Sequence, residues 1–502
     1  MSHWIILPVV LPATLGALIV LLARRNLGLA RLLSGLGTAA LVVLALALLR
    51  HAGAEGAELY RLGDWPTPFG IVLMLDPLSA LMLLLTAVLA GATLWQAIAT
   101  GWDTKGAHFH ALWMFQLMGL NGAFLTADAF NLFVFFEVML IASYGLMVHG
   151  GGGERLRAGV QYVAINLVGS TLFLFALATI YAVTGTLNMA DIGQRVALLP
   201  EGDFALIRVA AVLFLMVFAV KGALVPLQFW LPGTYANAPG VVAALFAVMT
   251  KVGAYAAIRT GTVIFPSSAP AIGSLLSDLL MPAALITLAV GAAGVLGTRS
   301  LPRQAAFAAL SSMGLTFAAL SGFQTAGLSA ALYYILHSTL AGALMFLVAD
   351  LVAARGGRLD GTGPRLPGTL AVAFFLAAIA TAGLPPLSGF LGKLYVMEAL
   401  RDQAALVWPV VLGGAFLMIL GLARAGSALF WKPQGAAAAP LPGRELTGPA
   451  LLLAGLVAMT LAAGPLTRGL ETVAAGLADP ADYIRANDLP PPPPFAAPGD
   501  AP

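Results

Sequence analysis

Apolar windows of about twenty residues recur from one end of the chain to the other, and that is the length an α-helix needs to cross the hydrocarbon of a bilayer. This admits one class of fold, because lipid offers backbone N–H and C=O groups no partner and such runs must bond internally as helices. Of 502 residues, 60% are hydrophobic and 9% charged, against about 25% charged in a soluble protein. The chain therefore reads as an all-α polytopic membrane protein. The windows predict about fourteen transmembrane helices, near 3–23, 30–49, 70–95, 107–126, 129–148, 158–184, 205–231, 240–264, 275–297, 302–322, 327–353, 368–400, 405–430 and 448–468. The seventh and twelfth are long and carry prolines, so both are expected to be discontinuous.

The basic residues set an orientation, since Lys and Arg are enriched in cytoplasmic loops. Fourteen of the 25, from Arg24 to Arg444, fall on one side of the predicted spans. Eight fall on the other (Arg50, Arg61, Arg195, Arg208, Arg259, Arg401, Arg468, Arg485), leaving three lysines inside the membrane. With an even number of helices, both termini are expected outside the cytoplasm. The first apolar run, starting at Trp4, has neither a basic n-region nor a small-residue cleavage site, and is expected to be a retained helix. The end, DLPPPPPFAAPGDAP, is expected to be extended. A net charge of +3 without a clustered basic face argues against nucleic-acid binding. Absence of cysteine excludes disulfides and thiolate chemistry. Nucleotide-binding GxxxxGK[ST] and zinc HExxH patterns do not occur, and the loops are too short for a catalytic domain. His108, His110 and His149 show no metal-ligand or paired-haem spacing, so no cofactor is expected. Asp76, Asp128 and Asp350 lie near predicted helix ends, where capping or solvation is expected, with Asp128 a cap of the fifth helix.

Four ionisable residues interrupt the apolar runs: Glu137 in FVFFEVML, Lys221 in VFAVKGAL, Lys251 in FAVMTKVGAY and Lys393 in GFLGKLYV. A charge at the bilayer centre costs roughly 2.5–3.5 kcal/mol on insertion scales, so such groups face a protein interior or hydrated path and mark ion or proton conduction. The helix breaks lie near these charges. Pro226 removes the helical partner of the Gly222 carbonyl, and Pro385 and Pro386 free the carbonyls of Thr381 and Ala382. Irregular backbone at this depth is tolerated where it is buried in protein or lines a cavity. Paired broken helices in two halves are the sequence sign of an inverted-repeat transporter, although the lysine precedes its proline in one half and follows it in the other.

The runs FNLFVFFEVMLIASYGLMVHG, PLQFWLPGTYANAPGVVAALFAVMTKVGAY and LPPLSGFLGKLYV resemble the D-type membrane component of the multi-subunit Mrp-type cation/proton antiporters. The likeness extends, less closely, to the antiporter-like membrane subunits of respiratory complex I and of membrane-bound hydrogenases. WLPGTYANAP and the DYIRAN near the end favour the Mrp component. The resemblance implies fourteen helices with two inverted five-helix repeats and discontinuous helices 7 and 12. It divides the chain into residues 1–106 (helices 1–3), 107–265 (first repeat), 266–432 (second repeat) and 433–502 (last helix and tail). It implies a proton-transfer chain in which Glu137 and Lys221 form a carboxylate–lysine pair. Lys251 links the halves, His337 in YYILHSTLAG titrates in the following helix, and Lys393 ends the second repeat. The second repeat has no counterpart of Glu137, its tenth helix offering only the hydroxyls of AALSSMGLTF.

The chemistry expected of such a chain follows from general electrostatics. Burial disfavours a charged lysine and a neighbouring carboxylate favours it. At about 4 Å and an effective dielectric of 20 the attraction is about 4 kcal/mol, equivalent to roughly three pKa units. Opening and closing the Glu137–Lys221 contact is therefore the expected switch. The implied function is the proton-translocating subunit of a hetero-oligomeric sodium (monovalent cation)/proton antiporter in a bacterial inner membrane. Its partners would be other Mrp-type subunits, H+, Na+ and the lipid bilayer. The alternative is a proton-pumping subunit of a redox complex, and a third reading is a membrane partner that energises solute uptake.

Overall fold

Residues 3–433 and 435–490 are described by a computed structural model; the proline-rich end, 491–502, lies outside them. The N-terminal segment holds α1 (Leu7–Leu22), α2 (Leu27–Glu55), strands β1 (Glu58–Arg61) and β2 (Val72–Leu75), and α3 (Pro77–Ala99). Then come α4 (Phe109–Leu125), α5 (Ala129–Met147), α6 (Gly153–Thr184), α7 (Met189–Ala197), α8 (Phe204–Gly222), α9 (Trp230–Asn237), α10 (Gly240–Phe246) and α11 (Met249–Arg259). The remainder comprises α12 (Leu275–Gly297), α13 (Leu301–Leu320), α14 (Thr325–Ala354), α15 (Gly368–Ala382), α16 (Ser388–Ala399), α17 (Ala404–Gly426), α18 (Thr447–Leu461), α19 (Ala463–Ala478) and α20 (Ala481–Ala486). Among the described residues, nine helices are long and apolar enough to cross a membrane, or ten if the bent pair α18–α19 is one span. α14 and the α10–α11 segment lie at the centre, with Ala330–Leu336 and Val241–Ala247 almost wholly buried.

Several boundaries differ from those read off hydropathy, each for a physical reason. The third helix starts at Pro77 rather than near 70. Asp76 caps it, accepting from the Ser79 N–H at 2.9 Å while the Ser79 hydroxyl accepts from the Asp76 N–H, and proline suits a first helical turn. The four residues before Asp76 form β2, antiparallel to β1 with Glu58 opposite Leu75. All four β2 residues are buried, so an apolar window alone could not separate strand from helix. The eighth predicted helix is also interrupted, between α10 and α11, without proline or glycine at the junction. There the Tyr235 hydroxyl donates to the Phe246 carbonyl at 2.7 Å, and the Lys251 N–H bonds Val248 instead of Ala247. The last helix bends by 83° where α18 meets α19.

Asp128 caps α5 as expected, its carboxylate accepting from the Asn131 N–H at 2.7 Å. Asp350, partly buried, accepts from the Trp102 indole at 2.8 Å and from the Gly240 N–H, the first of α10, at 3.3 Å, tying the end of α14 to Trp102 and the start of α10. Asp103, outside the spans, accepts two bonds from Arg31 (2.6 and 3.0 Å) and one from His110 (3.2 Å). Burial works against its ionisation, but these partners outweigh burial and hold its carboxyl below the usual range.

Arg259 corrects the charge sorting. It belongs to no exposed loop but lies 2% exposed in α11, paired with the Asp76 carboxylate at 2.5 Å and bonded to the Tyr255 hydroxyl at 3.1 Å. Tyr483, in the DYIRAN segment, covers its guanidinium at 4.8 Å. Asn487 bonds Asn188 at 3.1 Å and Thr67 at 2.9 Å, so this segment is docked on the helix ends. Substituting Arg259→Met strands the Asp76 carboxylate and should cost about 3–5 kcal/mol. A thermal melt of the purified assembly would register this as a clear drop in Tm, partly recovered by adding Asp76→Asn; an unchanged Tm would dismiss the pair as a structural tie.

Candidate functional site

Both discontinuous helices break in the same way. α8 closes with the Leu224 N–H bonded to the Ala219 carbonyl at 2.8 Å, and α15 with the Leu384 N–H bonded to Ile379 at 3.0 Å. Each uses a left-handed residue, Ala223 (φ 55°) or Gly383 (φ 74°), as in a Schellman end. Pro226 and the Pro385–Pro386 pair then lie in the irregular links, after which α9 and α16 resume. The Trp230 indole occupies the Val220 carbonyl at 3.0 Å, and the Val225 N–H finds the Thr287 hydroxyl at 2.8 Å. These two backbone groups of the first break are thereby met by protein groups.

Lys221 stands in the last turn of α8, 6% exposed, and donates to Asn166 Oδ1 at 2.8 Å. Its Nζ also lies 5.7 Å from the centre of the Phe136 ring. Glu137, half-buried on α5, accepts from the Ser170 hydroxyl. The expected carboxylate–lysine pair is thus not a direct contact. Each bonds α6 instead, at Ser170 and Asn166, which are one turn apart and therefore on one face.

Lys251 lies in the first turn of α11, 2% exposed. It donates to Met313 Sδ at 3.0 Å, and its Nζ is 3.4 Å from the Ser312 hydroxyl. Its helix approaches α8 at backbone distance because residue 253 is glycine, where a Cβ would sit 2.7 Å from the Gly222 nitrogen. His337, 2% exposed in α14, has Nδ1 3.0 Å from the Ser388 hydroxyl at the start of α16. Lys393, half-buried, donates to the Ala382 carbonyl at 2.5 Å. That carbonyl is the one Pro386 leaves without a helical partner.

None of the five predicted residues bonds another directly; each meets a neutral polar group on a neighbouring element. Asn166, Ser170, Met313 and Ser388 do not stand out in the sequence. Only Asn166 and Ser170 leave a trace there, as polar residues four apart in the apolar run AINLVGSTL. Among the described residues, no three His, Asp or Glu side chains converge as a metal site.

Known proteins share this arrangement. Residues 126–421 match the family described as NADH:quinone oxidoreductase/Mrp antiporter, TM. The probable D-type component of a K(+)/H(+) antiporter from Rhizobium meliloti (strain 1021) is 38% identical, over 96% of each chain. The D-type component of an Na(+)/H(+) antiporter from Alkalihalophilus pseudofirmus is 35% identical, over 97% of this chain and 99% of the relative. Among solved structures, a chain of the Mrp complex from Dietzia sp. DQ12-45-1b superposes with a TM-score of 0.87 at 28% identity, covering 97% of this chain and 100% of that one. A chain of the membrane-bound sulfane sulfur reductase, an archaeal respiratory membrane complex, gives 0.87 at 25% identity, with the same coverage. With more than half its length matched by the family and relatives similar from end to end, the chain is a multi-pass membrane protein belonging to the NADH:quinone oxidoreductase/Mrp antiporter transmembrane family.

Proposed function

We propose that this chain is the proton-translocating subunit of a hetero-oligomeric monovalent cation/proton antiporter, exchanging internal sodium or a similar cation for external protons. The observation that carries the reading is the series of ionisable groups in apolar helices. Lys221, Lys251 and His337 are buried, whereas Glu137 and Lys393, at its two ends, are half-buried. A conduit needs its middle shielded from lipid and its ends within reach of a partner subunit or water. The relatives named as K(+)/H(+) and Na(+)/H(+) antiporter components support a monovalent cation.

In this reading Glu137 and Lys221 exchange influence across α6. When Glu137 turns from Ser170 toward Lys221, the lysine holds its proton; when it turns back, the proton is released toward Lys251, His337 and Lys393. The reading includes fourteen spans, both termini outside, and two inverted units over 107–265 and 266–432. Helix limits that recur at a fixed spacing support the two units: Ala129 and Leu301 open α5 and α13, Gly153 and Thr325 open α6 and α14, and both pairs are 172 residues apart. A second reading, a proton pump driven by a redox partner, is favoured by the likeness to the respiratory sulfur reductase.

Inverted vesicles from cells expressing the complete assembly should show sodium-dependent proton movement, and Lys393→Ala should abolish it at matched assembly. Proton movement in wild type that needs a reductant, and ignores sodium, would transfer the protein to the redox reading. Glu137→Gln keeps the side chain's size and removes its charge, so the pH dependence of transport should shift together with its rate. A lower rate with an unchanged pH profile would mean that Glu137 serves only packing.

A further inference from the structure

The second half contains a cavity where the first half contains its charge cluster. The 172-residue spacing has an independent anchor in helix packing. In the first half a Cβ at Gly119 would lie 2.6 Å from the Met139 nitrogen. In the second, a Cβ at Gly291 would lie 2.4 Å from the Ser311 nitrogen, and Met139 and Ser311 are again 172 apart. Applied to the charge cluster, this register sets Ala309 opposite Glu137, Ser338 opposite Asn166 and Gly342 opposite Ser170. The two Schellman ends, aligned on Ala223 and Gly383, set Thr381 opposite Lys221. All four counterparts, Ala309, Ser338, Gly342 and Thr381, line one cavity of about 20 Å³, with Ser312 and His337 also in its wall.

The wall has a polar group without a partner. Thr381 Oγ1 is buried and no protein group bonds it. The Ser338 hydroxyl makes only a long 3.5 Å contact to Ile335, and the Ser312 hydroxyl, donating to Ala309 at 2.7 Å, keeps acceptor capacity. About 10–15 Å³ is enough for one water, which needs two to four polar partners. A metal cation is the wrong guest: the wall has no carboxylate, Lys251 lies 3.4 Å from Ser312, and Lys393 bonds the carbonyl of Ala382, next to Thr381.

We infer that this cavity binds a single water, held by Thr381, Ser312 and Ser338, that connects Lys251 to the His337–Lys393 side of the path. The inference rests on the proton-path reading above and gives it a physical link between the halves. The water accepts one proton from the Lys251 side and passes another toward His337, so its own composition is unchanged. Thr381 is a positioning residue that orients the water. Where the first half holds charge with Glu137 and Lys221, the second passes it on through hydroxyls.

Thr381→Val keeps the shape and removes the hydroxyl; Thr381→Ser keeps the hydroxyl. In the intact assembly, Thr381→Val should slow cation-coupled proton movement about tenfold, the effect of one lost hydrogen bond in the path, and Thr381→Ser should run close to wild type. High-resolution cryo-electron microscopy should place a water within bonding distance of Thr381 Oγ1 and Ser312 Oγ in wild type and not in Thr381→Val. Wild-type flux in Thr381→Val, equal slowing by Ser and Val, or no water density in wild type would each overturn the inference. Failure of the wider reading looks different: Lys393→Ala would then leave coupling intact, whatever the density at Thr381.

Discussion

Three ammonium groups and one carboxylate are held inside apolar helices, and the rest of the structure depends on how they are satisfied. Each lysine meets a neutral acceptor: an amide oxygen for Lys221, a thioether and hydroxyl for Lys251, a backbone carbonyl for Lys393. A hydrogen bond to a charged group contributes about 1.5–3 kcal/mol, less than the roughly 4 kcal/mol of a close ion pair at an effective dielectric of 20. Neutral acceptors therefore steady a lysine without fixing its charge. Asp76 and Arg259 make the opposite choice, a direct pair sealed under Tyr483. Arg is effectively always charged, so that site suits architecture, and the lysines suit exchange.

The helix breaks supply part of this chemistry. A continuous helix consumes its own carbonyls; a proline in the following turn releases one, and in lipid that oxygen must find a donor. Lys393 is the donor for Ala382, so the break and the lysine satisfy one another. Near Lys221 the Trp230 indole donates to the Val220 carbonyl and the Thr287 hydroxyl accepts from the Val225 N–H, while the lysine bonds Asn166.

Much of the helical layout is legible in the sequence, because hydropathy reports burial in lipid directly. Leu275–Gly297, Ala129–Met147 and Gly368–Ala382 begin where the apolar windows begin. What escapes are features set by tertiary partners. β2 sits in an apolar stretch, Tyr235 takes up the Phe246 carbonyl at the α10–α11 interruption, and Arg259 is held in the interior by an acid 183 residues away in sequence. The same holds for the site. Charged residues in apolar runs are conspicuous, so Glu137, Lys221, Lys251 and Lys393 are visible and His337 enters through the resemblance, but their partners are ordinary polar residues whose meaning lies in which helix faces them. Glu137 and Lys221 are not in direct contact in this structure; each bonds a residue of α6 instead, Ser170 and Asn166, and nothing in the sequence between them signals those two partners.

On the proposed reading, these partners on α6 change how the first half works. A direct pair would couple the two charges strongly and move them together. With Ser170 on the carboxylate and Asn166 on the ammonium, each has a resting partner, and coupling requires Glu137 to leave one for the other. On the proposed reading the carboxylate has two places to be, separated by a hydrogen bond, which is the bistability a gate needs. Nothing at Ala309 reproduces it in the second half. On the proposed reading, control belongs to residues 137–221, and the hydroxyl-lined segment beyond Lys251 carries whatever charge that gate lets pass.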